Sequence, residues 1–307
     1  MASQSSVIDE ERRPGLSLNT LAALTLAPAV VLFFCITIIP LAWAIHASLH
    51  DINPFSPEWR YVGIKHFAAL LQSSEFWRTT WRSVVFGAGS TFLQLILGIG
   101  VAMALNRPFP GVAVVRAMAF ASYLLPSIVI ALSFRWMGLS QYGVFNDILF
   151  KLNLISQPIA FFGDERFAMA SLIAVAAWQY TGFVALMVLA RLQSIPERLY
   201  EAARIDGAGI FRQFFDITLP QIKGIILVVL LLRFVWMFNK FDLIYIATRG
   251  GPGNSTQTLP LFIFDTAFTG YQLGTASAIA VLLFGQLLLV AALFFYVTRS
   301  DTEAVTR

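Results

Sequence analysis

What this sequence has little of is charge. Of its 307 residues only 12% are Asp, Glu, Lys or Arg, against 58% hydrophobic. A soluble domain carries about 25% charge, so this chain cannot cover a globule with a solvated surface. Soluble enzymes and disordered proteins are set aside on that ground. The net charge of +4 comes without a dense Lys/Arg run, so no nucleic-acid partner is expected. Scattered basic residues in an apolar chain belong at lipid headgroups. Cysteine is represented by Cys35 alone, which excludes an internal disulfide or a cysteine metal cluster. Inside its apolar run Cys35 reads as a small packing residue. The three histidines, His46, His50 and His66, lack metal-ligand spacing. No GxxxxGK[ST] phosphate loop, HExxH or nucleophile constellation occurs, so the chain is expected to bind no metal or cofactor and catalyse no reaction.

Long apolar runs are what is there. Six reach the roughly 20 residues that cross about 30 Å of hydrocarbon. They lie at about Leu21 to Ala47, Val84 to Leu105, Ala117 to Met137, Phe167 to Leu192, Leu219 to Ala247 and Ala276 to Val297. The runs are continuous rather than alternating, so helices and not a barrel are expected. The third is broken by Pro126, and the fifth holds Arg233, Lys240 and Asp242. Arg12 and Arg13 precede the first run, and Ala42-Trp43-Ala44 resembles a cleavage site, but the run is too long for a signal peptide and reads as a retained helix. The expected fold is all-α: a single polytopic membrane domain over residues 1–307, with a polar tail at 1–19. Arg107, Arg116, Arg191 and Arg299 stand at one set of helix ends, which places both termini inside.

The segment from Ser194 to Gly224, between the fourth and fifth runs, is the informative one. Ser194 and Glu197 have capping-box spacing, with Pro196 in the first turn. Helix formers follow to Arg204, Gly207 supplies a turn, and a second short helix is expected over about Ala208 to Phe215. Thr218 and Gln221 repeat the capping-box spacing around Pro220 and should start the fifth span. A helix–turn–helix on the membrane surface results. Apolar Leu199, Ala202, Ala203, Phe211, Phe214 and Phe215 can fill a partner's groove, and Glu201, Arg204, Asp206 and Arg212 can pair with its charges. On helical spacing alone, an inert amphipathic loop is the favoured reading.

The pattern Glu201-Ala202-Ala203-x-x-Asp206-Gly207-Ala208, followed by Phe214, Ile217, Leu219 and Pro220, resembles the EAA loop of binding-protein-dependent ABC importer permeases. Gly250-Gly251-Pro252-x-x-x-Thr256, Val62-Gly63-Ile64-x-x-Phe67 and Gly143-x-x-Asn146 resemble further segments of the carbohydrate-type members, the maltose- and glycerol-phosphate-type sugar permeases. Gly224 stands where many members have proline, and Arg82-Ser83 where many have Asn-Thr. The resemblance implies the six-helix type I ABC importer permease fold. It implies that residues 194–218 form a cytoplasmic coupling loop, docked in a cleft of an ATPase that binds ATP in this chain's stead. It implies as partners a second homologous permease, two ATP-binding cassette ATPase subunits and an extracytoplasmic solute-binding protein, in a bacterial or archaeal cytoplasmic membrane. The coupling residues it marks are Glu201, Ala202, Ala203, Asp206, Gly207, Ala208, Phe214, Leu219 and Pro220.

Ionisable residues within spans are functional candidates. Arg233, Trp236, Met237 and Lys240 stand at i, i+3, i+4 and i+7, on one helix face, and are expected to wall a water-filled cavity. The fourth span offers Gln179, Tyr180 and Phe183, beside Trp178. In the resembling family the helices flanking the EAA loop hold the solute, so these seven form the expected substrate pathway: aromatic faces stack on sugar rings, and amide or guanidinium donors bind hydroxyls. Plainer roles stay open: Trp178 and Trp236 as packing, Lys240 reaching to the interface, Arg233 paired with an acid on the partner permease. The basic pair also admits an anionic solute such as glycerol phosphate. An ion-coupled secondary transporter would show inverted repeats with broken helices in both halves, and none is evident.

Overall fold

The computed structural model describes residues 18–52, 54–55 and 58–305, with side chains described between residues 20 and 298. Residues 1–17 of the expected tail fall outside that range, as do the side chains of Arg12, Arg13, Arg299 and Arg307. In chain order the helices are α1 (Thr20–Ser48), α2 (Lys65–Gln72), α3 (Ser74–Leu105), α4 (Val112–Leu124), α5 (Ser127–Met137), α6 (Val144–Lys151), α7 (Glu165–Leu192), α8 (Glu197–Ile205), α9 (Ile210–Phe238), α10 (Asp242–Ala247), α11 (Leu259–Thr269) and α12 (Leu273–Val305). Two-residue strands β1 (His50–Asp51) and β2 (Arg60–Tyr61) pair antiparallel beyond α1. Helices α1, α3, α7, α9 and α12 are long and apolar enough to cross a membrane, and there are six such spans if the bent pair α4–α5 counts as one.

The break in that pair is local chemistry. Proline disfavours the helical conformation in the residue before it. Leu125 accordingly sits extended at φ −71°, ψ 137°, and α4 and α5 meet at 92°. Proline also shapes two spans that do not break. The π-helical turns Phe34–Ile38 and Phe214–Thr218 each end two residues before a proline, Pro40 and Pro220. Proline has no N–H to give and its ring crowds the carbonyl four residues back; a widened turn accommodates both.

Three expected boundaries are corrected. α3 begins at Ser74 rather than near Val84, capped by Ser73, whose hydroxyl accepts from Phe76 N at 3.4 Å. Its first turns carry Arg78 and Arg82, which lower the apolar count, and Arg82 pairs with Glu75 at 2.8 Å. The fifth span starts at Ile210 and ends at Phe238, so Lys240 lies beyond its end. Neither expected capping box forms. The Ser194 hydroxyl donates to Arg191 O at 2.7 Å and closes α7, while α8 starts after Pro196 without a side-chain cap. Thr218 lies inside a continuous helix, where its first turn is not a terminus needing a cap.

Helix α7 is the centre of the bundle. Leu172, Ala176, Val184, Val188 and Leu192 are buried along it, against Phe86 and Leu95 of α3 and Ile222 and Val229 of α9. A Cβ on Gly182 would run into the Ala119 carbonyl oxygen, so glycine is what lets α4 and α7 approach. Phe76, Phe238, Leu259 and Ile279 form a further core that ties α12 to the rest. Residues 20–40 of α1 are exposed, and only its last turns, from Ile39 to Ser48, pack against α12. Cys35 is therefore exposed, contrary to its expected packing role: its run is apolar to suit lipid, not a protein interior.

Two of the resembling segments have visible reasons. Asn146 is buried and binds three backbone groups, donating to Leu139 O (3.1 Å) and Ile159 O (2.9 Å) and accepting from Ile159 N (2.8 Å). Thr256 donates to Gly251 O at 2.8 Å and meets the Thr248 hydroxyl at 2.8 Å, fixing the Gly250–Pro252 turn.

Candidate functional site

The elbow between α8 and α9 is closed by backbone chemistry. Asp206 caps α8, Gly207 follows at φ +76°, and Ala208 N and Gly207 N return to Ala203 O (2.8 Å) and Arg204 O (3.1 Å). This is the Schellman closure, which needs a left-handed residue where Gly207 stands. Gln213 Nε2 donates to Ala208 O at 2.7 Å and sets the first turn of α9 on the elbow. Tyr200 and Thr218 join their hydroxyls at 3.0 Å, holding α8 against α9. Arg191 reaches from the end of α7 to Gln221 O (2.9 Å) and Gln221 Oε1 (3.2 Å).

What the elbow leaves outside is apolar and acidic. Ile205 and Phe211 are 86% and 82% exposed, and Ile210, Phe215 and Leu199 are exposed too. Glu201 and Asp206 are exposed and take no ion pair among the described residues, whereas Arg204 is engaged by Glu197 at 2.7 Å and Arg212 by Asp216 at 3.3 Å. Of the expected groove-filling residues, Ala203 and Phe214 are half-buried against the chain itself; Leu219 is half-buried and Pro220 exposed. Ile205 and Ile210 take their place on the outer face. The sequence pattern did not single out either: Ile205 stands two residues before Gly207 and Ile210 three after it. A cavity of about 740 Å³ lies beneath the elbow, lined by Asn106, Arg107, Tyr200, Arg204, Phe214 and Thr218 among others, so the α3–α4 loop shares this end of the bundle.

Further along α9, polar groups converge inside the bundle. Arg233 is 1% exposed. Its Nε donates to Gln94 Oε1 of α3 at 2.7 Å, and its guanidinium carbon lies 4.2 Å from the Tyr180 ring centre, 5.4 Å from Trp236 and 5.7 Å from Phe183. A cation over an aromatic face gains about 0.5–2 kcal/mol, most when desolvated. Gln94 in turn donates to Ala176 O at 3.4 Å. Lys240 Nζ donates to the Tyr180 hydroxyl (2.6 Å) and Ser127 Oγ (3.0 Å) and pairs with Asp242 at 2.9 Å. Gln179 Nε2 donates to Leu125 O (3.4 Å) and Ser127 Oγ (3.3 Å) at the α4–α5 break. Backbone freed by the break is thus satisfied by a side chain of α7, as membrane depth requires.

All seven expected pathway residues fall in this cluster, but not on the expected face. Met237 is buried like Arg233, Trp236 is 45% exposed, and Lys240 arrives from beyond the helix end. Arg233 is sealed by rings rather than set in a cavity wall. Trp178 lies apart, against Phe134 at 5.2 Å. Sequence reasoning missed Gln94, Ser127 and Tyr123, and noted Asp242 as an ionisable residue of the fifth run without placing it in the pathway. The signal for Gln94 was present: a lone amide in an otherwise apolar run. Nothing local marked Tyr123, which meets Phe183 at 5.6 Å and Tyr180 at 6.0 Å across the bundle.

Comparison with known proteins bears on both regions. A family model described as binding-protein-dependent transport system inner membrane component matches residues 94–300. The sulfoquinovosyl glycerol transport system permease protein SmoG of Agrobacterium fabrum is 35% identical over 300 residues, 95% of this chain and 97% of that one. The trehalose/maltose transport system permease protein MalF of Thermococcus litoralis is 35% identical over 279 residues, 91% and 94% of the two chains. Among solved structures, a chain of a bacterial alginate ABC transporter, crystallised with an alginate pentasaccharide-bound periplasmic protein, superposes with a TM-score of 0.80 at 21% identity, covering 92% of this chain and 95% of that one.

Proposed function

We propose, from the premise that this chain belongs to the family of binding-protein-dependent transport system inner membrane components, that it is the permease subunit of an ABC importer that brings a sugar or sugar-like solute into the cell. The chain is a multi-pass membrane transport subunit and not an enzyme; ATP hydrolysis falls to separate subunits. Its relatives are named as permeases for sulfoquinovosyl glycerol and for trehalose and maltose, which supports a carbohydrate cargo. The partners are two ATP-binding cassette ATPases, a second homologous permease and an extracytoplasmic solute-binding protein. The elbow faces the cytoplasm, with both termini on that side.

The observation that carries this reading is the continuity of α9. One 29-residue helix begins at the elbow and ends at Phe238. At 1.5 Å per residue, Arg233 stands about 35 Å from Ile210 along the same rod. A push on the elbow by a closing ATPase pair therefore reaches Arg233, Trp236 and Met237 through a rigid element. The elbow presents exposed apolar side chains with two carboxylates that take no ion pair among the described residues, which suits a partner's cleft. Glu201, Ala202, Ala203, Asp206, Gly207, Ala208, Phe214, Leu219 and Pro220 are the coupling residues; Gln179, Tyr180, Phe183, Arg233, Trp236, Met237 and Lys240 are the solute pathway. Co-purification through a tag on this chain, followed by uptake in proteoliposomes, tests the reading. An ATP-hydrolysing subunit is expected to come with the chain, and accumulation is expected to need ATP inside. Uptake driven by an ion gradient without ATP would identify a secondary transporter instead.

A further inference from the structure

The charges inside the bundle do not balance. Lys240 has Asp242 at 2.9 Å. Arg233 has no carboxylate among the described residues: Gln94, the Met237 sulfur at 3.7 Å and three aromatic rings are its surroundings. Rings and a neutral amide orient a guanidinium but leave its charge unmatched, and a lone buried cation is costly. Two further features of the same place favour an anion with hydroxyls attached. Gln179 is 1% exposed, and its Oε1 has no donor among the described residues. Its amide cannot be turned to cure this, because Nε2 faces the Leu125 carbonyl, which only accepts. The Phe183 and Trp236 rings, 5.7 Å apart, stand beside the guanidinium as apolar faces.

The geometry points to an acidic sugar as the solute. Once the rings that seal the guanidinium part, its carboxylate, sulfonate or phosphate pairs with Arg233, one of its hydroxyls donates to Gln179 Oε1, and its ring lies against Trp236. Arg233 is then the residue that selects for the charge. The inference rests on the import reading but fails separately from it. The test uses the chain with whatever subunits co-purify, held in lipid nanodiscs, with glucuronate and glucose as probes and saturation-transfer NMR as the readout. Glucuronate is expected to bind roughly tenfold or more tightly than glucose, the scale of one charge-assisted hydrogen bond. Arg233→Gln should erase that preference and Arg233→Lys should keep part of it, with both variants retaining the co-purifying subunits. Equal binding of the two probes, no binding of either, or a preference that survives Arg233→Gln would overturn the inference and assign the counter-charge to an acid on a neighbouring subunit. The import reading falls by a different result, the absence of any ATP-hydrolysing subunit in the preparation.

Discussion

A substitution series at Gly207 isolates the elbow from everything around it. The residue stands at φ +76°, and a Cβ there would meet no atom within 4 Å. Gly207→Ala therefore adds no clash, only the left-handed backbone cost of about 1–2 kcal/mol. That lowers the population of the native elbow about 5- to 30-fold relative to alternatives. Gly207→Asn should cost less, since Asn tolerates this region. Gly207→Pro should cost about 3 kcal/mol or more, because the ring fixes φ near −65° and the N–H that binds Arg204 O is lost. Solute moved per ATP hydrolysed, measured in proteoliposomes, should fall in the order Asn, Ala, Pro, with import abolished in the last. Membrane insertion should be unchanged throughout, since the elbow lies outside the spans. Import at the parental rate in Gly207→Pro would refute the lever argument.

Three further outcomes are expected. Glu201→Lys reverses an exposed charge, without an ion pair among the described residues, on the proposed docking face, so uptake and solute-stimulated ATP hydrolysis should drop while the chain still inserts. Trp236→Ala removes a ring that stands 5.4 Å from Arg233, and should raise the half-saturating solute level in uptake assays or uncouple uptake from hydrolysis. Gly182→Val pushes a side chain into the Ala119 carbonyl, and overpacking of this kind costs about 1–3 kcal/mol; a lower Tm in detergent checks it.

Much of the architecture is legible from composition because lipid imposes a simple rule. Runs of about 20 apolar residues must be helices, and the spans ending at Leu105, Met137 and Leu192 end where the runs end. The rule fails where polar residues belong to a span. Arg78 and Arg82 hid the first turns of α3, and Asn239-Lys240 was read through although α9 stops at Phe238. The elbow was legible because Gly207 and the alanines around it obey local backbone chemistry. The capping boxes misled for a tertiary reason: Thr218 is bound by Tyr200, eighteen positions earlier, inside a helix that runs on through its π turn. At the inner cluster, helical spacing found Arg233 and Met237 but not the residues that complete their surroundings. Gln94, Tyr123 and Ser127 come from other helices, and only packing brings them together.

The direct measurement is a site-specific cross-link at the tip of the elbow. Ile205→Cys, 86% exposed in the parent, is combined with Cys35→Ser, and a short bifunctional reagent is applied to inverted membrane vesicles carrying the full complex. A covalent adduct with an ATP-hydrolysing subunit, with a yield that changes when nucleotide is added, is the expected result. Labelling of that cysteine from the outside of intact cells, with no adduct in the vesicles, would contradict the account.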